Sequence, residues 1–179
     1  YPFAYAFREG KGPHKAIAQL RENCIDCNTK WIVDADICGF FDNLNKSILR
    51  ELIQKRVNDG GILRLVGKWL NAGVVDGKEL SYPEYGVPQG GVASPMLADI
   101  YLHYVLDEWF VKETQPQLKG RSFIIRFADD FVIGCEFEDD ALWVMEQIKI
   151  RFAQFALTIH PEKSAVIDFR PGLNKSKSG

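Results

Sequence analysis

The sequence predicts an α+β fold in which helices cover one face of an antiparallel sheet. Runs rich in β-branched and aromatic residues alternate with longer runs whose apolar residues recur at helical spacing. Several β-rich runs are separated only by short turns, which is the pattern of hairpins rather than of parallel strands. The 179 residues are enough for one domain, or for one domain with a smaller lobe.

The first half of the chain is predicted to begin with one strand and two helices. Residues 31–36 are β-rich and end on carboxylates, so we expect a strand that runs into a loop. A helix is predicted over residues 46–57, with Asn45 as a suitable N-cap, and another over residues 61–71. The second helix is expected to bury an apolar stripe formed by Ile62, Leu65, Val66, Trp69 and Leu70.

A hairpin and an irregular loop follow these helices. Residues 74–85 are predicted to form a short hairpin with Asp76 and Gly77 at its turn. The glycines and the proline of residues 86–91 (GVPQGG) exclude regular structure there.

Two further helices and a final strand complete the prediction. Ser94 and Pro95 open the first of these helices, because a capping hydroxyl followed by proline in the first turn favours a helix start. We expect this helix to continue to about Val111. A helix over residues 139–156 and a strand over residues 164–168 end the folded part of the chain.

Three aspartates stand where predicted strands end. The β-rich residues 123–127 and 131–135 are joined by an Ala-Asp-Asp tripeptide, so a hairpin carries Asp129 and Asp130 at its tip, and Asp36 ends the first strand. Adjacent carboxylates repel each other unless a cation offsets their charge. Two divalent ions on such oxygen ligands support in-line phosphoryl displacement. Taken alone, an Asp-Asp dipeptide is more often an ordinary exposed turn than a metal site.

The composition is ordinary for a folded protein but unusual for a nucleic-acid binder. Apolar residues make up 46% of the chain, and the net charge of −2 contrasts with the surplus of lysine and arginine that phosphate contacts call for. No apolar run is long enough to span a bilayer, and no secretory signal is recognisable. Cys24 and Cys27 have the spacing of half a zinc site without a matching second pair, so we interpret the cysteines as reduced thiols of an intracellular protein.

Five segments resemble, in order, the motifs of reverse transcriptases of the group II intron type. Residues 5–17 (YAFREGKGPHKAI) are similar to the fingers of bacterial members. The other four resemble motif A at residues 36–44 (DICGFFDNL), motif B at residues 86–102 (GVPQGGVASPMLADIYL), motif C at residues 126–133 (RFADDFVI) and motif D at residues 157–164 (LTIHPEKS).

The resemblance implies a right-hand polymerase palm whose antiparallel sheet packs on helices, plus partial fingers. It assigns residues 1–30 to a partial fingers segment, residues 31–169 to the palm with the remaining fingers helices at about 45–85, and residues 170–179 to a disordered tail or a linker to a missing thumb. The implied activity is that of an RNA-directed DNA polymerase core in the bacterial cytoplasm. Its implied partners are an RNA template with a DNA primer, dNTPs, two Mg²⁺ ions (Mn²⁺ in vitro) and, for the full-length protein, intron RNA.

The resemblance also assigns catalytic roles. Asp36, Asp129 and Asp130 match the metal carboxylates, and the main-chain carbonyl of Ile37 joins their metal shell beside the nucleotide. Lys163 matches the position that donates a proton to the leaving pyrophosphate, although it is also readable as a surface lysine.

Substrate contacts are implied by the same motifs. Phe41 stands where the family places a ring beneath the incoming sugar, with Phe40 beside it, and one of the two rings is expected to be buried. Gln89 falls where the family contacts the nascent base pair. The implied contacts to phosphate and to the nucleic-acid backbone are Arg8, Lys11, Lys15, Gly90 and Gly91.

Two positions depart from the pattern, and two other functions compete with it. Group II relatives usually have Tyr at Phe127 and commonly Asn at Asp99. Nucleotidyl cyclases also place acidic residues near a β-hairpin, but they lack the Pro-Gln-Gly loop. A catalytically inactive, maturase-like RNA-binding scaffold is the other alternative, and the intact acidic triad argues against it.

Overall fold

The computed structural model describes residues 1–71, 74–76, 79–81, 86 and 93–170. The helices and strands, in chain order, are α1 Pro13–Asp26, β1 Trp31–Ala35, α2 Phe40–Asn43, α3 Lys46–Gln54, α4 Gly60–Leu70, β2 Val74–Asp76, β3 Glu79–Ser81, α5 Ser94–Leu102 with π-helical continuations His103–Glu108 and Phe110–Thr114 and a 3₁₀ turn Gln115–Gln117, β4 Ser122–Phe127, β5 Asp130–Cys135, α6 Glu138–Ala153 and β6 Ala165–Asp168. None of the described helices is long and apolar enough to cross a membrane.

Four of the strands form one antiparallel sheet in the order β4-β5-β1-β6. In its register Ala35 of β1 pairs with Phe131 of β5, and Phe127 of β4 pairs with Asp130 of β5. Strands β2 and β3 form a separate two-stranded hairpin. The predicted α+β class with an antiparallel sheet is therefore confirmed.

The alternation of side chains along β1 decides which face of the sheet is buried. Val33 and Ala35 are 0% and 2% exposed, whereas Asp34 between them is exposed. Val33 and Ala35 join buried side chains of α3, α5 and α6 in the main core. We call this side of the sheet the core face, and the side that carries Asp34 the groove face.

Helix α1 was not predicted, and it covers part of the groove face. Its Ala16 packs with Tyr5 and with Phe123 and Ile125 of β4 in a second, smaller apolar cluster. Proline suits the first position of the helix, because an N–H group there would have no acceptor within the helix. Strand β4 is consequently buried on both faces.

The helices α3 and α4 lie near their predicted bounds, but the buried stripe of α4 is narrower than predicted. The side chain of Asn45 caps α3 by accepting hydrogen bonds from the amides of residues 47 and 48, as predicted. In α4 the prediction is wrong for three of the five stripe positions, because Ile62, Leu65 and Trp69 are 51%, 45% and 42% exposed. A single row of apolar side chains on α4 faces the core. It consists of half-buried Leu63 with buried Val66 and Leu70.

The predicted capping role of Ser94 at the start of α5 is wrong. Ala93 precedes the helix, so Ser94 is its first residue and not its cap, whereas Pro95 lies in the first turn as predicted. The helix continues past the predicted end near Val111 through π-helical turns. The two strands of the predicted hairpin are confirmed, but Asp76, predicted at the turn, is the last residue of β2 and pairs with Glu79. Gly77 and most of the predicted irregular loop lie outside the described part of the chain.

Strands β4 and β5 confirm the predicted hairpin around the Ala-Asp-Asp tripeptide, and α6 and β6 lie close to their predicted positions.

Candidate active site

A groove of about 410 Å³ on the groove face brings together two of the three predicted metal carboxylates, Asp36 and Asp130, and Asp129 is not among its lining residues. It is lined by Asp34, Asp36, Asp130 and Lys163 together with apolar residues of β4 and β5. Residues two apart on a strand point to the same side, so Asp34 and the residue that follows the end of β1, Asp36, share this face. The pairing of Phe127 with Asp130 brings the tip of the β4–β5 hairpin to the same place.

The main chain of Asp36 is held on both sides by the segment that precedes β6. Its amide donates to the hydroxyl of Ser164 over 3.0 Å, and its carbonyl accepts from the amide of His160 over 2.8 Å. The ammonium of Lys163 lies 3.7 Å from the Asp36 carboxylate, with the two side chains 67% and 37% exposed. At this exposure the ion pair is weak because water screens it, so Lys163 is free to exchange Asp36 for another partner.

The main chain of Ile37 takes no part in these hydrogen bonds. Ile37 faces Ile159 in an antiparallel bridge whose hydrogen bonds use the carbonyl of Asp36 and the amide of Cys38. The side chain of Ile37 is 5% exposed and belongs to the main core. The main-chain carbonyl of Ile37 therefore accepts neither hydrogen bond of the bridge, which is compatible with its predicted role as a metal ligand.

The two phenylalanines after Asp36 lie in different environments. Phe40 is 3% exposed, and its ring centroid lies 6.4 Å from that of Tyr101 inside the main core. Phe41 is half-buried, with its ring centroid 5.4 Å from that of Phe40. Phe41 is thus the ring with surface left for a ligand, and Phe40 supports it from within the core.

The turn between β4 and β5 concentrates negative charge. Ala128 has a φ of 57°, in the left-handed region that is unfavourable for a residue with a Cβ atom. Burial raises the pKa of the Asp130 carboxyl, and the negative charges of Asp129, Asp36 and Asp34 raise it further. The carboxylates of the turn and of β1 therefore interact, and a cation between them would relieve their repulsion.

The donor atoms of the groove fit a hard divalent ion in kind. They are carboxylate oxygens, the ligands that Mg²⁺ prefers. Within the residues that the structure describes, no group of three or more His, Cys, Asp or Glu side chains is placed to hold a metal ion as it stands.

The three basic residues predicted to contact phosphate lie apart from the groove. All three donate to main-chain carbonyls within the first ten residues. The acceptors are the carbonyls of Tyr1 and Ala4 for Arg8, of Pro2 for Lys11 and of Gly10 for Lys15. None of the three side chains lines the acidic groove, so their contacts to phosphate stay predictions. The predicted contacts Gln89, Gly90 and Gly91 lie outside the described residues.

Asp34 lines the groove, although no role was predicted for it. Burial and then the charge of Asp36 raise the pKa of its carboxyl, so its charge is coupled to that of a predicted metal ligand. The signal in the sequence was its spacing, because residues two apart on a strand share a face.

Arg126 is the other residue that sequence reasoning missed. It is 1% exposed on the core face, where its guanidinium bonds the carboxylates of Asp107 and Asp99 and the carbonyl of Ala128. An arginine inside an otherwise apolar strand was the available signal, together with the unusual acid at Asp99.

The family described as reverse transcriptase (RNA-dependent DNA polymerase) matches residues 2–172. Protein YkfC of Escherichia coli strain K12 is 28% identical over 163 residues, which cover 74% of this chain and 42% of that protein. The group II intron-encoded protein LtrA of Lactococcus lactis subsp. cremoris is 34% identical over 100 residues, which cover 56% of this chain and 16% of that protein.

A solved structure of apo telomerase from Candida tropicalis shares the fold. Its TM-score is 0.72 at 15% identity, over 96% of this chain and 34% of that one. The chain spans less than half the length of each of these three proteins.

Proposed function

Because this chain belongs to the reverse transcriptase (RNA-dependent DNA polymerase) family, we propose that it is the catalytic core of an RNA-directed DNA polymerase of the group II intron type. It would add dNTPs to a DNA primer on an RNA template. The observation that carries the proposal is the shared groove of Asp36 and Asp130, whose carboxylates come from two separate strands and are electrostatically coupled.

The metal-binding role falls to the acidic residues around the groove. Asp36, Asp129 and Asp130, with the carbonyl of Ile37, would hold two Mg²⁺ ions, and Mn²⁺ would substitute in vitro. Such ions lower the pKa of an attacking hydroxyl and stabilise the leaving oxygen of an in-line phosphoryl displacement. The chain's own contribution is to hold the Asp36 main chain in place through Ser164 and His160.

Lys163 is proposed as the proton donor to the leaving pyrophosphate. Its ammonium already lines the groove and lies 3.7 Å from Asp36. A mostly exposed lysine keeps three donors and a flexible stem, so it can follow a leaving group that moves away from the primer end.

Selection of the sugar is proposed for Phe41. Its half-buried ring rests on Phe40, which the core immobilises. A ring fixed in this way excludes a 2′-hydroxyl by its bulk, without needing a hydrogen bond.

The remaining contacts of the nucleic acid and the triphosphate are proposed from the family pattern. Gln89, Gly90 and Gly91 would meet the template and the nascent base pair. Arg8, Lys11 and Lys15 would meet phosphate after exchanging their carbonyl partners. These hydrogen bonds are exposed, except for the part-buried one from Arg8 to the carbonyl of Ala4. The full-length protein would bind its intron RNA in the bacterial cytoplasm, by analogy with the intron-encoded relative.

A catalytically inactive, maturase-like RNA-binding scaffold is a second candidate. It is favoured by the Lys163–Asp36 pair, in which the ammonium already offsets one negative charge of the groove. Such a protein would keep the fold and its RNA surface without nucleotide transfer.

Primer extension and RNA binding, measured side by side, separate the two candidates. The complete gene product that contains this sequence would be tested with an RNA template, a DNA primer, dNTPs and Mg²⁺, together with the variants Asp36→Asn and Asp139→Asn. Asp139 is a matched control, because its carboxylate is 82% exposed and pairs with Lys119 away from the groove.

A polymerase extends the primer, loses extension in Asp36→Asn and keeps it in Asp139→Asn, while RNA binding stays equal in all three. Tight RNA binding without extension by the folded wild type would replace the polymerase proposal with the scaffold.

A further inference from the structure

A buried ion network lies directly behind the acidic turn, on the core face. The guanidinium of Arg126 donates through Nε and Nη2 to the two oxygens of Asp107 over 2.7 and 2.6 Å. Its Nη1 donates to Asp99 over 2.7 Å and to the carbonyl of Ala128 over 2.9 Å. The side chains of Arg126 and Asp107 are each 1% exposed, so this pair is shielded from water, whereas the side chain of Asp99 is 27% exposed.

The main chain of Arg126 is also fixed. Its amide donates to the carbonyl of Phe3 over 3.0 Å, and its carbonyl accepts from the amide of Tyr5 over 2.9 Å. Residues 3–5, which precede α1, therefore hold the outer edge of β4 at Arg126, one residue before the strand ends. With both main chain and side chain immobilised, the guanidinium is a rigid donor aimed at the turn.

The turn needs such a support. Ala128 is held in the left-handed region, which a residue with a Cβ atom does not favour, and it immediately precedes Asp129. The hydrogen bond from Arg126 to the Ala128 carbonyl fixes the orientation of the peptide unit that leads into Asp129.

Packing alone does not explain why charged side chains occupy this buried site. Apolar side chains of similar volume would fill a buried site with no loss of stability, since buried ion pairs lose hydration on folding. An apolar side chain has no donor for the Ala128 carbonyl. The planar fork of an arginine, oriented by a bidentate acid, supplies that donor in a defined direction.

We propose that Arg126 is a positioning residue, which holds the Asp129–Asp130 turn from behind in the geometry that binds divalent metal, with Asp107 and Asp99 orienting its guanidinium. The identity of the bound ion rests on the proposed function. The support of the turn rests on the contacts themselves. Asp99 adds a link to α5, the helix that follows the predicted substrate loop.

The test compares Arg126→Lys with a core variant of the same neighbourhood. Lysine keeps the charge but cannot bond both oxygens of Asp107 and the Ala128 carbonyl together. Leu106→Ala is the matched control, because Leu106 is 0% exposed, adjoins Asp107 and belongs to the main core without belonging to the network. Two readouts need no catalysis: hydrogen exchange of the amides of residues 128–131, and Mn²⁺ affinity by electron paramagnetic resonance.

In Arg126→Lys we expect exchange at the turn to rise and Mn²⁺ binding to weaken by at least about tenfold, as for other residues that orient metal ligands. Leu106→Ala should lower thermal stability and leave both readouts unchanged. If Arg126→Lys fails to fold, Asp99→Ala and Asp99→Asn replace it, because Asp99 is only partly buried. The alanine variant should weaken Mn²⁺ binding, and asparagine, which still accepts a hydrogen bond, should restore it.

Equal effects of Arg126→Lys and Leu106→Ala, or none in Arg126→Lys, would overturn the positioning role even if the wild type extends primers. Weaker Mn²⁺ binding and faster exchange in Arg126→Lys, with no primer extension by any protein, would uphold the positioning role and reject the proposed function. A wild type that binds no Mn²⁺ would reject both.

Discussion

Replacing Gly86 by alanine is expected to destabilise the fold through two separate effects. Gly86 has a φ of +82°, and a Cβ atom added there would lie 2.7 Å from the carbonyl oxygen of Asp42 and 2.8 Å from that of Phe41. Both neighbours are main-chain atoms, so the clash cannot be relieved by a side-chain rotation. The Gly86 amide also donates to the carbonyl of Leu44 over 2.9 Å, which prevents the residue from moving away without losing a hydrogen bond.

The magnitude follows from adding the two effects. A left-handed φ costs a residue with a Cβ atom about 1–2 kcal/mol, and an overpacked contact about 1–3 kcal/mol. Gly86→Ala should therefore lower the free energy of unfolding by about 2–5 kcal/mol. Gly10→Ala isolates the first effect, because Gly10 has a φ of +69° and nothing within 4 Å of the added atom, so it should lose about 1–2 kcal/mol.

Urea unfolding of the wild type and of both variants measures these differences. The main-chain atoms of Phe41 would have to shift in Gly86→Ala, so discrimination between dNTPs and ribonucleotides should weaken in that variant and not in Gly10→Ala. If Gly86→Ala were no less stable than Gly10→Ala, the close approach of Gly86 to the main chain beside Phe41 would be refuted.

Three further predictions address selectivity and charge. Phe41→Ala should raise incorporation of ribonucleotides relative to dNTPs by at least about tenfold in competition assays, and unchanged selectivity would remove the ring from the sugar site. Hydrogen bonds from Arg121 and then Asn28 lower the pKa of Glu136 from 4.5 to about 2. The stability that these hydrogen bonds add is fully present above the ordinary pKa of a glutamate and is lost as the pH falls toward the lowered pKa of Glu136. The wild type should therefore have a higher melting temperature than Glu136→Gln at neutral pH, and this difference should disappear in acid. Because the pKa of Asp130 is raised in the folded protein, its negative charge opposes folding at neutral pH. Asp130→Asn should therefore stabilise the metal-free protein by less than about 1 kcal/mol at neutral pH, and this difference should shrink as the pH falls and Asp130 is protonated. A lower melting temperature for Asp130→Asn than for wild type at neutral pH would contradict the coupling of Asp130 to the neighbouring carboxylates.

Local chemistry made much of the fold predictable. The cap at Asn45, the proline at the start of α5 and the carboxylates at the hairpin tip depend on residues near in sequence, and each lies where it was predicted. The resemblance to reverse transcriptases of the group II intron type and the predicted fold class are confirmed by the family match and by the shared fold.

Features that depend on distant contacts were not predictable in the same way. The exposed Ile62 and Trp69 follow from how α4 tilts on the core, which periodicity alone does not determine. Arg126 and Asp107 are separated by 19 residues and meet only because β4 packs under the helix that continues α5. Arg8 is tied to carbonyls of its own segment, a competition that its motif does not reveal.

Incorporation of a single dNTP opposite a templating ribonucleotide, with Mg²⁺ and the complete gene product, tests the central claim most directly. The wild type and Asp139→Asn should add the nucleotide at equal rates, and Asp129→Asn should be slower by at least about a hundredfold. Equal rates for wild type and Asp129→Asn would contradict the assignment of the acidic turn, with the groove beside it, as the site of nucleotide transfer.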